Sequence, residues 1–360
     1  MGDILHALPA VTALRTAHPE WEIGWVVEPR WRALLAAPEI RDQRSEISAG
    51  RNSAMPPRWP EMPVRGPAQP VVDRLHFAAA KEWKRRPLSA KTAREIKALR
   101  HELHGCGYDA VIDLQGAMRS AAIARMAGCE RVIGESKPRE WAARWLFTER
   151  VTTKGAHVAE QDVGLASAVA GDALAAVKPL LPTDSAAEAW CDALLVPSRD
   201  EPVALIAPGA GWGAKRWPPA RYAAVAKGLA ERGFRVLVNT GPGEEALAGE
   251  IVEGCGGAAA GLSASLEQLI ALTRRIALCV GGDTGPLHLA CALERPVVGI
   301  YGPTDPGRNG PFGTRARVLR SPESRRDHSR RAAPEAGLLT IAPEDVLRAA
   351  GELLMEGDGE

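Results

Sequence analysis

Short apolar runs alternate with amphipathic stretches through the second half of the chain. The runs have the length of buried strands, and the stretches between them repeat apolar residues at helical spacing. Gly and Pro lie at the junctions. This alternation predicts a parallel α/β sheet covered on both faces. The predicted strands are 203–207, 235–239, 276–280 and 296–301, and the predicted helices are 220–230, 244–252, 266–273 and 286–292.

The first half shows the same alternation less regularly. Residues 41–70 are rich in Pro, Arg, Ser and Gly and lack periodicity, which predicts a long loop. Together the two halves predict tandem Rossmann-like sheets, with a ligand cleft between the carboxyl ends of their strands. In the first half the predicted strands are 23–27, 110–114 and 132–133, and the predicted helices are 8–17, 31–35, 93–104 and 119–127.

These patterns divide the chain into four parts. We expect a first Rossmann-like domain over residues 1–170 and a linker over 171–200. A second Rossmann-like domain follows over 201–320. Residues 321–360 are expected to form a flexible linker and a closing helix, near 343–355, that packs back onto the first domain.

The first residues fit a doubly wound domain poorly, since such a domain normally begins with a strand. Here the Gly2-Asp3 turn leads straight into a helix, so the first strand of this domain is missing from the pattern. Two interpretations are open: the domain starts differently, or Met1 is an internal methionine and the true start lies upstream.

Composition narrows the possible classes. The 360 residues carry 45 Lys+Arg and 44 Asp+Glu, a net charge of +1, so no global charge indicates a nucleic-acid partner. Hydrophobic residues make up 46%, which excludes wholesale disorder. The sequence contains no long apolar run and no signal-peptide pattern. The six cysteines show no metal-ligand spacing, so we expect reduced thiols in a cytoplasmic protein.

Two local segments are basic. Residues 81–100 hold eight basic and two acidic side chains, a net of +6, and residues 315–331 hold seven and two, a net of +5. Such runs are usually solvated surfaces, and they also suit an anionic ligand. We interpret the second run as part of a flexible linker, with a membrane-facing loop as the alternative.

Several motifs in fixed order carry a family resemblance. Residues 1–10 read MGDILHALPA, residues 108–116 read YDAVIDLQG, and residues 282–290 read GDTGPLHLA. WVVE at 25–28, KRWP at 215–218 and VGIYGPTDP at 298–306 complete the set. In this order the motifs resemble glycosyltransferase family 9, the lipopolysaccharide heptosyltransferases. The resemblance covers most of the chain and weakens over 40–70 and beyond 320.

The resemblance implies a fold and a reaction. The fold is GT-B, two Rossmann-like domains facing across a cleft, and the reaction is an inverting, metal-independent transfer that uses no cofactor. The implied donor is ADP-heptose, and the implied acceptor is Kdo-lipid A at the inner membrane surface. Within the family, segment 108–116 and the region around Trp83 favour heptosyltransferase I over II. The resemblance also implies a cytoplasmic monomer that is peripheral on the inner membrane and has no nucleic-acid partner.

Asp3 matches the family's catalytic base by position. A carboxylate at this turn faces the cleft and can take the proton of the acceptor hydroxyl. The alternative is a helix N-cap, since Asp commonly satisfies free N–H groups there.

Four of the expected donor-binding residues surround the start of one predicted helix. Free N–H groups and the helix dipole in the segment of Asp283, Thr284 and Gly285 suit a pyrophosphate, and His288 lies one turn further on. The Asp283 carboxylate cannot itself attract phosphate, so we expect it to bind the heptose hydroxyls or to hold the loop. The resemblance adds Lys215, whose ammonium can neutralise phosphate. A ribose contact is expected from Glu244 or Glu245, and the sequence leaves both open.

The expected acceptor site is basic, because Kdo-lipid A carries carboxylates and phosphates. The cluster Lys84, Arg85 and Arg86 resembles the family's acceptor loop. Arg139 and His157 match family positions near the acceptor.

Two other classes of function stay open at this point. A nucleotide-sugar 2-epimerase shares the architecture but needs its own acid/base set and no lipid-facing basic loop. A nucleotide-sugar-binding protein without catalysis is the third interpretation.

Overall fold

The structure is a computed structural model that describes residues 1–36, 71–196, 201–326 and 332–356. The loop predicted at 41–70 therefore lies outside the described residues.

The first half carries two parallel sheets. Strand β1 (Gly24–Val27) pairs with β2 (Arg74–Phe77), and β4 (Arg131–Glu135) lies between β3 (Ala110–Asp113) and β5 (Glu149–Val151). Each sheet is flanked by helices and by short 3-10 turns. These are α1 (Gly2–Ala17), α2 (Ala80–Arg85), α3 (Ala90–Gly105), α4 (Met118–Met126) and α5 (Val158–Ala170), with 3-10 turns at Pro29–Leu34 and Trp141–Leu146.

Helix α1 is buried on every side from Leu5 to Arg15. Its Ala10 and Leu14 pack on α5, while Leu5 and Leu8 join a core shared with the second half. A helix whose sides are all mostly apolar belongs in an interior. The first helix of the chain therefore lies between the two domains and holds them together.

The second half forms one six-stranded parallel sheet. The strands are β6 (Val203–Ala207), β7 (Arg235–Asn239), β8 (Ala259–Leu262), β9 (Leu278–Gly282), β10 (Val297–Tyr301) and β11 (Ala316–Arg320). Across the sheet their order is β11-β10-β9-β6-β7-β8. The helices are α6 (Ser185–Leu195), α7 (Pro219–Ala230), α8 (Glu245–Gly254), α9 (Leu266–Thr273), α10 (Gly285–Ala292), α11 (Pro306–Asn309) and α12 (Pro343–Met355), with 3-10 turns at Gly213–Lys215 and Gly337–Thr340.

Burial explains the strand pattern of this sheet. Every residue of β6, β9 and β10 is buried, as expected for parallel strands with helices on both faces. The predicted α/β class is confirmed. Strands β8 and β11, which the sequence pattern missed, form the two edges of the sheet.

The expected position of the closing helix is wrong. Helix α12 packs on α7, β10 and β11 of the second half, and not back onto the first domain. Its Val346, Ala349, Ala350 and Leu353 lie in the core that also holds Leu229. These four residues form one apolar stripe at helical spacing, and α7 offers the matching surface.

The flexible linker expected in the second basic run is also corrected. Arg317 and Arg320 lie in strand β11, and Arg315 immediately precedes it. The Arg315 guanidinium donates to the Leu353 carbonyl at 3.2 Å, so part of this basic run is fixed against α12. Its last residues, 330 and 331, lie outside the described part of the chain.

The expected linker over 171–200 contains a packed helix. Helix α6 contacts α9, and its Glu188 carboxylate accepts hydrogen bonds from Arg274, at 2.8 Å, and from Arg275. This part of the linker is therefore attached to the second domain.

A glycine fixes the 3-10 turn Trp141–Leu146. The Phe147 ring that ends this turn lies directly over Gly134 of β4, where a Cβ would overlap the ring. Phe147 is buried with Val132 and Ala143. The turn is thus seated on the sheet through one buried aromatic side chain.

None of the helices in the described ranges is long and apolar enough to cross a bilayer.

The packing of α12 on the second domain predicts the effect of truncating Leu353, which is 0% exposed. Leu353→Ala should lower the free energy of unfolding by about 2–5 kcal/mol, because the change leaves a cavity in the core. Urea unfolding measures this. The control is Met355→Ala on the same helix: Met355 is 71% exposed, and we expect a change below about 0.5 kcal/mol. Equal losses for the two variants would contradict the packing.

Candidate functional site

Loops at the carboxyl ends of neighbouring strands meet the start of α1. Asp283 and Thr284 follow β9 and precede α10, and Lys215 ends the 3-10 turn that follows β6. Because β6 and β9 pair directly, these two loops are adjacent. Asp3 and His6 approach from the first two turns of α1.

A buried carboxylate organises the site. Asp283 pairs with the Lys215 ammonium through Oδ2 and accepts a hydrogen bond from His288 Nε2 through Oδ1 at 2.9 Å. Burial raises the pKa of the Asp283 carboxyl, but the His288 hydrogen bond and the Lys215 charge outweigh it and hold that pKa well below its usual range. Asp283 is thus an anion fixed on both oxygens.

The hydrogen bonds continue into the first domain. His288 Nδ1 lies 3.2 Å from His6 Nε2 on α1. Burial, together with His288 and then His157, lowers the pKa of His6 from 6.5 to about 2, so His6 is neutral. Because His288 Nε2–H donates to Asp283, the consistent tautomers have His6 Nε2–H donating to His288 Nδ1. We call Lys215, Asp283, His288 and His6 the relay.

Met1, the N-cap of α1, also abuts Gly285, the first residue of α10. A Cβ on Gly285 would overlap the Met1 side chain. Glycine at this position therefore lets α1 and α10 come close, and the hydrogen bond between His6 and His288 requires this close approach.

Asp3 is exposed in the first turn of α1, and its Oδ2 accepts a hydrogen bond from Gln115 Nε2 at 2.9 Å. The N-cap interpretation of Asp3 is wrong, because Met1 is the N-cap and no side chain caps this helix. Asp113 holds the Gln115 loop by accepting from the N–H groups of Gln115 and Gly116 at 2.9 and 3.1 Å. The carboxylate of Asp3 is therefore positioned yet open to solvent.

The start of α10 suits an anion. Thr284 is its N-cap, but the Thr284 hydroxyl donates to the Gly282 carbonyl at 3.3 Å and caps nothing. The first-turn N–H groups of α10 are free of a side-chain cap. With Lys215 beside them, they form an electropositive end where a phosphate binds readily.

Three buried polar atoms near this edge of the sheet have no hydrogen-bond partner within the described residues. They are Trp212 Nε1, Thr240 Oγ1 and Thr304 Oγ1, which follow β6, β7 and β10. Buried polar groups are nearly always paired, so these atoms suit a bound polar ligand. Sequence reasoning missed all three, although each lies just beyond a predicted strand.

The two candidate ribose carboxylates have different surroundings. Glu244 Oε2 accepts from the Gly241 N–H at 3.3 Å and lies 2.6 Å from where a Cβ of Gly209 would be, in the loops at the strand ends. Glu245 accepts from the Gly243 N–H, and this bond lowers the pKa of its exposed carboxyl. Glu244 is therefore the better placed of the two.

The predicted acceptor loop is a helix. Lys84 and Arg85 end α2, Arg86 caps it, and all three side chains are exposed. Trp83 beneath them is a core residue whose Nε1–H donates to Glu95 at 2.8 Å. The basic cluster is therefore carried by a helix that Trp83 anchors in the core.

The other two expected acceptor residues have different environments. Arg139 is exposed, and its backbone packs against Gly116, whose φ is +61°. His157 is buried: its Nδ1 accepts from Ala159 N–H and its Nε2 donates to the Gly310 carbonyl, both at 3.1 Å. With both ring nitrogens engaged, His157 joins the domains, and its role toward an acceptor stays a prediction.

Sequence reasoning also missed His6 and Gln115, although both lie in the quoted motifs. The signal for His6 was its spacing, since residue 6 shares a helix face with Asp3. No sequence signal indicated Gln115, because Gln115 and Asp3 are 112 residues apart in the chain.

Comparison with known proteins gives a family match. The model of glycosyltransferase family 9 (heptosyltransferase) matches residues 96–338, more than half of the chain.

Individual relatives agree with the family match. Lipopolysaccharide heptosyltransferase 1 of Escherichia coli K12 is 30% identical over 328 residues, covering 89% of this chain and 91% of the relative. Lipopolysaccharide heptosyltransferase 2 of the same organism is 31% identical over only 171 residues, covering 44% and 49%. Among solved structures, E. coli heptosyltransferase WaaC is similar over nearly its whole length. Its complex with ADP has a TM-score of 0.73, 26% identity and coverage of 98% and 97%, and its complex with ADP-2-deoxy-2-fluoro heptose has 0.68, 27%, and 99% and 96%.

The neutral state of His6 predicts a pH dependence of stability. Below pH 6.5 the unfolded chain binds a proton at His6 that the folded chain does not, so the free energy of unfolding falls as the pH falls. We measure this by urea unfolding at pH 6.5 and at one pH unit below it. Between these two pH values the parent chain should lose about 1 kcal/mol more of its free energy of unfolding than His6→Gln does. His101→Gln, at an exposed position on α3, is the control and should behave like the parent chain. Identical pH dependence in His6→Gln would contradict a buried neutral His6.

Proposed function

Because the chain belongs to glycosyltransferase family 9 and has the GT-B fold of two Rossmann-like domains, we propose that it transfers L-glycero-D-manno-heptose from ADP-heptose to Kdo of the lipopolysaccharide inner core. The observation that carries this proposal is the relay at the start of α10, which His6 joins to the same helix that carries the exposed carboxylate of Asp3. Of the earlier alternatives, family membership favours a transferase over a 2-epimerase or a binding protein.

The donor binds, in this proposal, at the carboxyl edge of the second sheet. The diphosphate lies over Thr284, Gly285 and the free N–H groups of α10. Lys215 donates two of its three N–H groups to Asp283, one to the Asp283 carboxylate and one to the Asp283 carbonyl. The third N–H group remains for a phosphate oxygen. Glu244 accepts from ribose hydroxyls.

The relay sets the charge at the leaving group. Asp283 balances Lys215 before the donor arrives, and His288 and His6 fix the orientation of Asp283. As the bond between the anomeric carbon and the phosphate oxygen breaks, ADP takes the electron pair. The dipole of α10 and the Lys215 ammonium then stabilise the added negative charge.

Asp3 acts as the general base. Its carboxylate takes the proton of the acceptor hydroxyl while the oxygen attacks the anomeric carbon from the face opposite ADP, which inverts the configuration. Gln115 holds the Asp3 carboxylate through one oxygen and leaves the other for the proton.

The acceptor approaches along the first domain. Lys84, Arg85 and Arg86 on α2, with Arg139 beside Gly116, offer exposed cations to the carboxylates and phosphates of Kdo-lipid A. These contacts favour a location on the cytoplasmic face of the inner membrane. We further propose that the chain works there as a monomer, without a nucleic-acid partner.

Heptosyltransferase I is favoured over II by the extent of sequence similarity, which is nearly complete for the first and partial for the second. The test measures ADP release from ADP-heptose with Kdo2-lipid A and, separately, with the same acceptor already carrying one heptose. Release with the first acceptor alone supports heptosyltransferase I. Release with the second alone indicates II, and release with neither contradicts the proposal.

Removal of the proposed base should stop the reaction but not donor binding. Asp3→Ala is expected to lower kcat by at least about 100-fold, the usual worth of a positioned base. ADP affinity, measured by calorimetry, should stay within about twofold. The Asp3 carboxylate is bonded to Gln115, which is not among the groups proposed to bind phosphate. Loss of ADP binding together with activity would assign Asp3 a structural role.

Lys215→Ala should weaken ADP binding by at least about tenfold, since it removes the cation and leaves Asp283 uncompensated. Adenosine, which lacks phosphates, separates the two causes. Its affinity should stay unchanged if Lys215 contacts phosphate and should fall equally if the loop has collapsed. Lys227→Ala, at an exposed position on α7, is the matched control and should leave both affinities unchanged.

A further inference from the structure

The first domain exposes two tryptophans side by side. Trp141 and Trp145, both in the 3-10 turn Trp141–Leu146, are each 62% exposed. Their rings meet edge to face with centroids 5.8 Å apart. Large aromatic side chains are mostly buried on average, and an exposed apolar cluster marks a surface that binds something.

Arginines lie over these rings. The Arg144 guanidinium is 5.7 Å from the Trp141 ring centroid and 5.6 Å from that of Trp145, and Arg150 is 5.5 Å from Trp145. Within the described ranges neither arginine pairs with a carboxylate, and Arg144 Nε is buried without a hydrogen bond. Cation–π contact keeps these charges beside the rings. We call Trp141, Arg144, Trp145 and Arg150 the tryptophan–arginine patch.

The patch adjoins the candidate base. Gln115 donates to the Asp3 carboxylate, and the carbonyl of the next residue, Gly116, accepts from the Glu140 N–H at 2.8 Å. Trp141 follows Glu140 directly. A surface that receives the patch would therefore also lie next to the acceptor side of the cleft.

We propose that the tryptophan–arginine patch docks on the surface of a bilayer that contains anionic lipids. This inference rests on the proposed function, in which the acceptor sugar stands at a bilayer surface. Tryptophan is the side chain that prefers the boundary between headgroups and acyl chains, because its ring is apolar and its N–H is polar. Arginine adds attraction to anionic headgroups.

Charge complementarity favours a bilayer over a second copy of the chain. A symmetric pair of patches would bring the two arginines of each copy together, and the patch itself contains no carboxylate to balance them. An anionic surface instead meets both arginines with opposite charge. The patch is also seated firmly, since Phe147 at the end of its turn is buried over Gly134.

Vesicle flotation without donor or acceptor tests the docking directly. The full chain should float with vesicles of phosphatidylcholine and phosphatidylglycerol in equal amounts, and much less with phosphatidylcholine alone. The double variant Trp141→Ala/Trp145→Ala should partition at least about tenfold more weakly. Arg150→Glu should weaken partition by at least about fivefold, the effect of one arginine near an anionic surface.

The matched control is Met355→Ala/Arg348→Gln on α12, which removes an exposed apolar side chain and an exposed cation far along the chain. This control should float like the parent chain, and every variant should keep the parent's unfolding midpoint. Equal flotation of the parent and the tryptophan variant would overturn the proposal. So would the absence of flotation by the parent, or loss of a dimer as the sole effect of the variant.

Transfer assays separate this inference from the proposed function. With Kdo2-lipid A in vesicles, the tryptophan variant should lose rate in proportion to its lost partition. With a water-soluble Kdo acceptor that lacks acyl chains, it should keep the parent's rate. A parent chain that floats through the patch but transfers heptose to neither acceptor would reject the proposed function and leave the docking surface standing. Equal loss on both acceptors would overturn the docking role.

Discussion

The buried negative charge of Asp283 is the constraint on which the rest of the site depends. An isolated carboxylate in such an interior is costly, and here a lysine from one loop and a histidine from α10 compensate it. Those partners lie on separate elements, so satisfying one charge fixes the loop after β6 against the start of α10. His6 then extends the same network into α1 and ties the first domain to the second.

Under the proposed function, this arrangement separates the roles of the two domains. The second sheet supplies a compensated, rigid end for a diphosphate, where free N–H groups and one remaining ammonium donor face the ligand. The first domain supplies a carboxylate that is held at one oxygen and open at the other, together with exposed cations on α2. The groups proposed to bind the donor are thus partly buried, and those proposed to bind the acceptor are exposed.

The central strands were predictable from sequence because burial on both faces leaves them almost purely apolar. The missed strands β2, β5, β8 and β11 are all edge strands, and none of them is buried along its whole length. Helix α12 was predicted as a helix, but its partner was not, since an apolar stripe does not say which surface it covers. The same limit hid Gln115, whose link to Asp3 exists only once the chain has folded.

The seat of Phe147 over Gly134 has a mechanical consequence. Because the ring fits where a side chain on the strand would clash, the turn that carries the tryptophans is packed directly against the sheet. A flexible tether would only raise the local concentration of the enzyme at a surface. If the molecule docks on a bilayer through this packed turn, as proposed, the turn also sets the tilt of the molecule on the bilayer and therefore the direction in which its cleft opens.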